Sequence, residues 1–83
     1  MKGELKMNNT RRKQIQGIID KLEDLKSEIE NLKDEEQEAF DNSPEGIQAS
    51  ERGEAMENAV YNLEEGYDNI DMAIDFLMES IEQ

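Results

Sequence analysis

The chain has 83 residues, of which 35% are hydrophobic and 37% are charged, and its formal net charge at pH 7 is −13. A domain of this size buries little apolar surface by itself. The sequence contains neither cysteine nor histidine, which excludes disulfides, zinc and iron–sulfur sites, and Cys or His nucleophiles. Association with another subunit is the remaining way to enlarge the core.

The charge is unevenly distributed along the chain. Residues 1–33 hold eight Lys or Arg residues against six acids, for a net +2, whereas residues 34–83 hold one basic residue against sixteen acids, for a net −15. Such a field repels nucleic acid and anionic membranes and attracts basic surfaces. We therefore expect no direct nucleic-acid binding, despite the Arg-Arg-Lys cluster at residues 11–13. No segment has the length and apolarity of a membrane span or of a signal-peptide core, which predicts a cytoplasmic protein without membrane contact.

The first predicted helix covers residues 9–40 and follows a predicted N-terminal tail, residues 1–8. Residues 9–83 are expected to form a single helical-hairpin domain. The apolar residues of this helix alternate at spacings of three and four, which is typical of a coiled-coil seam. The series consists of Ile15, Ile18, Leu22, Leu25, Ile29 and Leu32, continued by Glu36 and Ala39.

The corner of the hairpin is predicted over residues 41–46, around Pro44, the only proline. Asn42 is expected to cap the following helix, with Glu45 three residues on as in a capping box. Two glycines weaken the next segment, which predicts a short turn of helix and then a kink near Ser50.

The same corner has part of the spacing of a calcium-binding loop. Asp41, Ser43, Glu45 and Gly46 stand at the first, third, fifth and sixth places of such a loop. The twelfth place requires a bidentate acid, and here it is occupied by the cation Arg52. We therefore expect a corner without a metal ion.

The second predicted helix covers residues 47–82 and repeats the coiled-coil spacing. A corner centred near residue 44 makes the two helices antiparallel and places Leu25 beside Leu63 and Ile18 beside Ile70. The predicted fold is all-α, an antiparallel two-helix coiled-coil hairpin. The predicted seam of the second helix consists of Val60, Leu63, Tyr67, Ile70, Ile74, Leu77 and Ile81.

Small and apolar residues outside the seams predict that two hairpins form a homodimer, a four-helix bundle. Gly66 costs about 1 kcal/mol in helix propensity, and close packing against a neighbouring helix is the expected compensation. Incidental small residues on the surface are the alternative. The predicted oligomer interface consists of Ile19, Phe40, Ala59, Gly66, Ala73 and Met78.

Carboxylates recur along the outer side of the second predicted helix, mostly every three or four residues. At a rise of ~1.5 Å per residue, neighbours lie ~5–6 Å apart along the axis, on the scale of a phosphate backbone. This array predicts a mimic of nucleic acid that binds a basic surface, with solubility alone as the alternative. The predicted partner-binding residues are Glu57, Tyr61, Glu64, Glu65, Asp68, Asp71, Met72, Asp75, Phe76 and Glu79.

No pattern of catalytic residues stands out in the chain. Its hydroxyl groups have no histidine base, and no glycine loop of the phosphate-binding type is present. Some acids of the second helix have the spacing of magnesium ligands in all-α nucleotide pyrophosphohydrolases, but Val60, Leu63 and Tyr67 take the inward direction that such a site requires. We expect no catalysis, cofactor or metal, and a metal-dependent nucleotide hydrolase remains a minor alternative.

The corner carries a more specific pattern, EQ-AFDN-PE-Q-SERGE over residues 36–54, after a heptad helix and before a second acidic helix. In this pattern the chain resembles small acidic helical proteins of bacteriophages and prophages, over nearly all of its length from Met7. The resemblance implies a phage accessory protein and supplies no catalytic residue. We therefore expect a non-enzymatic protein that binds and inhibits a host protein or defence complex. A structural coiled-coil homo-oligomer is the alternative.

Overall fold

The computed structural model describes residues 8–83, which form three helices and no strand. Helix α1 spans Asn9–Asp41, α2 spans Glu45–Gln48, and α3 spans Glu51–Ile81. Because α1 and α3 pack against each other in opposite directions, the predicted all-α hairpin is confirmed. Residues 1–7, which form most of the predicted tail, lie outside the described part of the chain.

The two long helices each begin at a capping side chain. At the start of α1, the Oδ1 atom of Asn8 accepts a hydrogen bond from the backbone N–H of Arg11 at 2.8 Å. At the start of α3, the Oγ atom of Ser50 accepts a longer hydrogen bond from the backbone N–H of Gly53 at 3.5 Å. Each contact satisfies a backbone donor that the first turn of a helix leaves free. Ser50 therefore marks the start of α3 at the place where a kink was predicted.

Asn42 ends α1 and does not cap the next helix, so that prediction was wrong. The backbone of Asn42 is still in the right-handed helical region. Its N–H donates to the carbonyl of Glu38, and the N–H of Ser43 donates to that of Phe40. α2 instead begins after Pro44, which has no capping side chain. The physical reason is that α1 continues through Asp41, which leaves Asn42 to terminate a helix.

The corner spans residues 42–50, longer than the predicted 41–46, because α2 lies within it. The longer corner shifts the register between the long helices. A corner centred at residue 44 would place Lys26 opposite Asn62, whereas its Nζ atom lies 2.7 Å from Oδ1 of Asp71. The offset is nine residues, about two and a half helical turns, so the predicted neighbours are wrong for both Leu25 with Leu63 and Ile18 with Ile70.

α1 faces α3 through a series of residues that shares every second member with the predicted one. Ile19 and Ile74 are the buried apolar side chains of the described chain, at 1% and 2% exposure. In contrast, three members of the predicted series are about half exposed: Ile18 at 48%, Leu25 at 49% and Leu32 at 54%. The seam of α1 is made of residues that are all at least partly buried: Ile15, Ile19, Leu22, Lys26, Ile29, Lys33, Glu36 and Phe40.

Both series on α1 have spacings of three and four, and they share every second member. The hairpin selects the series that contains Lys26 and Lys33, because lysine stems cover apolar surface while their ammonium groups reach carboxylates at the edge of the seam. The seam of α3 has no competing apolar series, and all seven of its predicted residues are at least partly buried.

Gly53 lies where α3 passes closest to the backbone of α2. The residue is buried, and a Cβ atom at this position would lie only 2.5 Å from the carbonyl oxygen of Ile47 and still closer to that of Gln48. Backbone atoms of a helix cannot move aside as a flexible side chain can. The close approach of α2 and α3 therefore requires glycine here.

The variant Gly53→Ala is expected to destabilise the protein by about 1–3 kcal/mol, because the added methyl group overpacks the corner. Gly17→Ala is the matched control: its Cβ atom would meet nothing within 4 Å, so this change should stabilise α1 by about 1 kcal/mol. Urea unfolding followed by circular dichroism, at one protein concentration, measures both. A Gly53→Ala variant as stable as Gly17→Ala would contradict the packing described for the corner.

Candidate functional site

The hairpin has a broad side that carries carboxylates from both long helices. Glu23 of α1 and Asp71 of α3 both approach the Nζ atom of Lys26, at 3.7 and 2.7 Å. Glu30 and Glu64 line one depression further along the same side. Residues that recur at intervals of seven share a side of a coiled-coil helix. We call this side the acidic face, and its carboxylates are Glu23, Glu30, Glu57, Glu64, Asp68, Asp71 and Asp75.

Lys26 is a largely buried cation at the edge of the acidic face. Its ammonium donates a hydrogen bond to Asp71 and lies 5.2 Å from the centroid of the Tyr67 ring, a cation–π distance. The pKa of Lys26 is raised above its usual value, chiefly because Asp71 accepts this hydrogen bond, while partial burial opposes the increase. The pair therefore connects α1 to α3 and neutralises part of the negative charge at the centre of the face.

The negative field of α3 also acts on Tyr61, an exposed residue of this helix. The pKa of Tyr61 is raised, chiefly because the Glu65 carboxylate accepts a hydrogen bond from its hydroxyl group. The charges of Glu65 and Glu64 act in the same direction, since a phenolate next to carboxylates is unfavourable. Tyr61 therefore adds a hydroxyl group and an aromatic ring to an otherwise carboxylate-rich surface.

The ten predicted partner-binding residues fall into two patches. Most of the carboxylates, together with Tyr61, lie on or beside the acidic face. The two apolar members, Met72 and Phe76, lie on the outward side of α3, where they line a shallow depression together with Asp75 and Glu79. Both are exposed. α3 therefore presents a carboxylate array and, next to it, an apolar depression bordered by two acids.

The opposite side of the hairpin is apolar, and its larger residues were assigned to the seam by the sequence prediction. Ile18, Leu25 and Leu32 lie there at intervals of seven, on the other edge of the seam from Glu23 and Glu30. The small residues of α3 recur at the same interval on this side. We call it the apolar face, and it consists of Ile18, Leu25, Leu32, Ala39, Ala59, Gly66, Ala73 and Ser80.

The predicted oligomer interface is divided among different parts of the hairpin. Ala59, Gly66 and Ala73 lie on the apolar face. Ile19 was wrongly placed in that interface, because its side chain is buried in the hairpin core at 1% exposure. Phe40 is partly buried at the end of the seam, where its carbonyl oxygen accepts a hydrogen bond from Gln48 at 2.8 Å.

Met78, the remaining member of the predicted oligomer interface, lies at the edge of the acidic face. It follows Asp71 at an interval of seven residues, which places it on the opposite side of the seam from the small residues of α3. Its side chain is exposed. A single interface therefore does not contain both Met78 and the column of small residues.

Within residues 8–83, no group of three or more acids is arranged so that it could hold a metal ion. None of the described helices combines the length and apolarity needed to cross a membrane. The chain matches no protein-family model, no curated protein and no solved structure.

The variant Asp71→Asn is expected to lower the pKa of Lys26, because it removes the carboxylate that chiefly raises it. Glu23→Gln is the matched control and should lower this pKa less, since Glu23 is 3.7 Å away rather than 2.7 Å. An NMR titration of protein with ¹³C-labelled lysine measures the pKa directly.

The raised pKa of Lys26 also determines how the free energy of unfolding changes with pH. Because the folded-state pKa lies above the unfolded value of about 10.4, the contribution of this pair to stability is complete below that pH. It is lost as the pH rises through the folded-state pKa. Equal pKa changes in the Asp71→Asn and Glu23→Gln variants would contradict the role assigned to Asp71.

Proposed function

We propose that this protein is a non-enzymatic binding protein whose acidic face docks on a basic surface of a host protein or defence complex and blocks it. The observation that carries the proposal is the acidic face, which brings carboxylates of α1 and α3 together on one side of the hairpin, opposite the uncharged apolar face. Carboxylates outnumber the lysines of this face, Lys26 and Lys33, and a face with an excess of one charge attracts a partner of the opposite charge and speeds the encounter.

The spacing of the carboxylates supports a partner that handles nucleic acid. Along α3, Glu64, Asp68, Asp71 and Asp75 follow one another at steps of three or four residues, about 4.5–6 Å along the axis. Negative charges at this spacing resemble those of a nucleic-acid backbone. The proposed target is therefore a basic groove that otherwise holds nucleic acid, with the hairpin as its competitor.

The depression at Met72 and Phe76 supplies a contact that does not depend on charge. Methionine and aromatic residues are enriched in protein interfaces, whereas salt screens exposed charge pairs. Asp75 and Glu79 border the depression, so a partner that inserts an apolar group there would also meet carboxylates. The acidic face thus steers the partner, and this depression holds it.

The resemblance to small acidic phage proteins is the reason for proposing a bacterial host as the source of the partner. Small phage proteins that disable host machinery act in the host cytoplasm, and the chain is proposed to act there. This step is an analogy between classes of protein.

Self-association is the second candidate, and a specific observation favours it. Ile19 and Ile74 are the two buried apolar side chains of the described chain, while three large apolar residues are half exposed on one side. We propose that two hairpins associate into a four-helix bundle. If self-association were the only role of the protein, its acidic residues would serve to keep it soluble.

The triple variant Glu57→Gln, Glu64→Gln, Asp68→Asn is expected to lose the partner. It removes three charges from the acidic face and leaves the Lys26–Asp71 pair intact. Affinity capture from a bacterial lysate with low-salt and high-salt washes, followed by mass spectrometry, measures retention. Wild-type protein should retain a nucleic-acid-handling protein at low salt and release it at high salt or on addition of duplex DNA.

A charge-matched control for this experiment is the triple variant Glu28→Gln, Glu35→Gln, Glu38→Gln, which changes exposed residues of α1 outside the acidic face. This variant should retain the partner as the wild type does. Equal loss in both triple variants would assign binding to net charge rather than to the face. Retention by both would contradict the proposal.

The metal-dependent hydrolase alternative is tested by adding magnesium to the purified protein. We expect no change in melting temperature, because the acids of α3 are not gathered around a common point. A ligand at 100 times its dissociation constant would stabilise the fold by about 2.7 kcal/mol. A magnesium-dependent rise in melting temperature that calcium or sodium does not reproduce would favour the hydrolase.

A further inference from the structure

We infer that a second copy of this chain covers the apolar face, with α1 of each copy lying against α3 of the other. The inference rests on the dimer proposed above and gives it a specific face and a specific arrangement. It is independent of the acidic face, since its test measures oligomeric state and not capture of a partner.

The extent of the apolar face is sufficient for a stable dimer. The apolar face extends from Ile18 to Ala39 on α1 and from Ala59 to Ser80 on α3, which corresponds to a length of ~32 Å on helices of ~10 Å diameter. Two such segments side by side present roughly 600 Å². This area lies at the lower end of the roughly 600–1,000 Å² that each partner buries in a stable protein–protein interface.

Charge identifies the occupant as a second copy. None of the eight residues of the apolar face is charged, so a basic partner would find carboxylates only at its margin, where Glu28 and Glu35 lie. Two copies that meet through this face would instead point their acidic faces in opposite directions. This arrangement separates the negative charges of the two chains as far as the hairpin allows, which limits their repulsion.

The register within the hairpin determines which residues of α1 and α3 on the apolar face lie at the same height along the helix axes. Because Lys26 is paired with Asp71, Leu25 is about level with Ala73, and Leu32 with Gly66. Ile18 and Ser80 are likewise about level near the open end of the hairpin. Each large side chain of α1 thus has a small residue of α3 at its own height.

A two-fold axis parallel to the helices makes use of this pattern. Such an axis places α1 over α3 of the other copy at unchanged height, so that Leu25 faces Ala73 and Leu32 faces Gly66 in both halves of the dimer. An axis perpendicular to the helices would instead place α1 on α1 and α3 on α3. Large residues would then meet large ones, which leaves gaps along the small column.

Gly66 has a physical role in this dimer that it lacks in the single hairpin. A Cβ atom at Gly66 would meet nothing within 4 Å, so no contact within the hairpin requires glycine there. A glycine in the middle of a helix costs about 1 kcal/mol relative to alanine. In the proposed arrangement, the side chain of Leu32 from the second copy packs against this position.

The decisive variant is Gly66→Leu, because a single hairpin has room for the added side chain and the proposed dimer does not. We expect its dimer dissociation constant to increase by roughly tenfold or more, with helicity retained by circular dichroism. Gly17→Leu makes the same change at an open position away from the apolar face and should leave dimerisation unchanged. Sedimentation equilibrium measures all three proteins.

Two results of this experiment would overturn the inference. One is a Gly66→Leu protein that dimerises as tightly as the wild type. The other is a wild-type protein that is monomeric throughout the measured concentration range. Neither result bears on capture of a partner by the acidic face, so failure of the dimer and failure of the proposed function are distinguishable.

The orientation of the two copies is tested with single-cysteine variants, since the chain has no cysteine of its own. An equimolar mixture of Leu25→Cys and Ala73→Cys proteins under mild oxidation should form mainly the mixed disulfide, because a disulfide requires Cα atoms within about 7 Å. Mass spectrometry distinguishes it from disulfides between identical chains. Predominance of disulfides between identical chains would overturn the pairing of α1 with α3.

Discussion

Lys26 lies within the seam between α1 and α3, and the rest of the hairpin is arranged around its contact with Asp71 at 2.7 Å. A lysine in a seam must extend its stem over apolar neighbours and bring its ammonium to an edge where carboxylates are available. Glu23 and Asp71 form that edge. Since Lys26 faces α3, the adjacent Leu25 is turned toward the opposite edge, where it is half exposed. This rotation of α1 gives each side of the hairpin its own chemistry.

This constraint explains why an acidic chain of 83 residues can carry two separate surfaces. A single hairpin has one narrow seam, and here that seam fully buries two large side chains, Ile19 and Ile74. Most of the surface is therefore free to vary in character from side to side. Carboxylates occupy one side and uncharged residues the other, so a contact on one side leaves the other accessible. Binding of a basic partner and self-association are then compatible within one small molecule.

The parts of the fold that could be predicted from the sequence are those that depend on one helix at a time. α3 has a single apolar series with spacings of three and four, and it forms the seam from Val60 to Ile81 as expected. α1 has two overlapping series, and spacing of apolar residues alone predicts the more apolar one, which includes Leu25. The hairpin uses the other series because Lys26 finds Asp71 across the seam. That choice depends on the register, and the register depends on α2, whose four residues lengthen the corner.

Prediction of the candidate site from the sequence is limited in the same way. The carboxylates of α3 could be identified from the sequence because their spacing lies within one helix. Their continuation onto α1 through Glu23 and Glu30 could not, since it depends on which edge of α1 meets α3. Met72 and Phe76 were expected on the outward side of the second helix, because their spacing of four residues also lies within one helix, and there they line a depression together with Asp75 and Glu79. Grouping residues across two helices requires the rotation of each helix about its axis, which spacing alone does not give.

The structure gives different reasons for Gly53 and Gly66, two glycines that look alike in the sequence. Both are glycines within α3, where glycine is unfavourable. At Gly53 the backbone of α2 occupies the space of a side chain, so the chain's own fold accounts for the residue. At Gly66 the same space is open, although small residues recur around it at intervals of seven. No contact within the hairpin therefore explains why residue 66 is a glycine. In the proposed dimer, the half-exposed side chains of Ile18, Leu25 and Leu32 on the same side supply a contact that requires a small residue there.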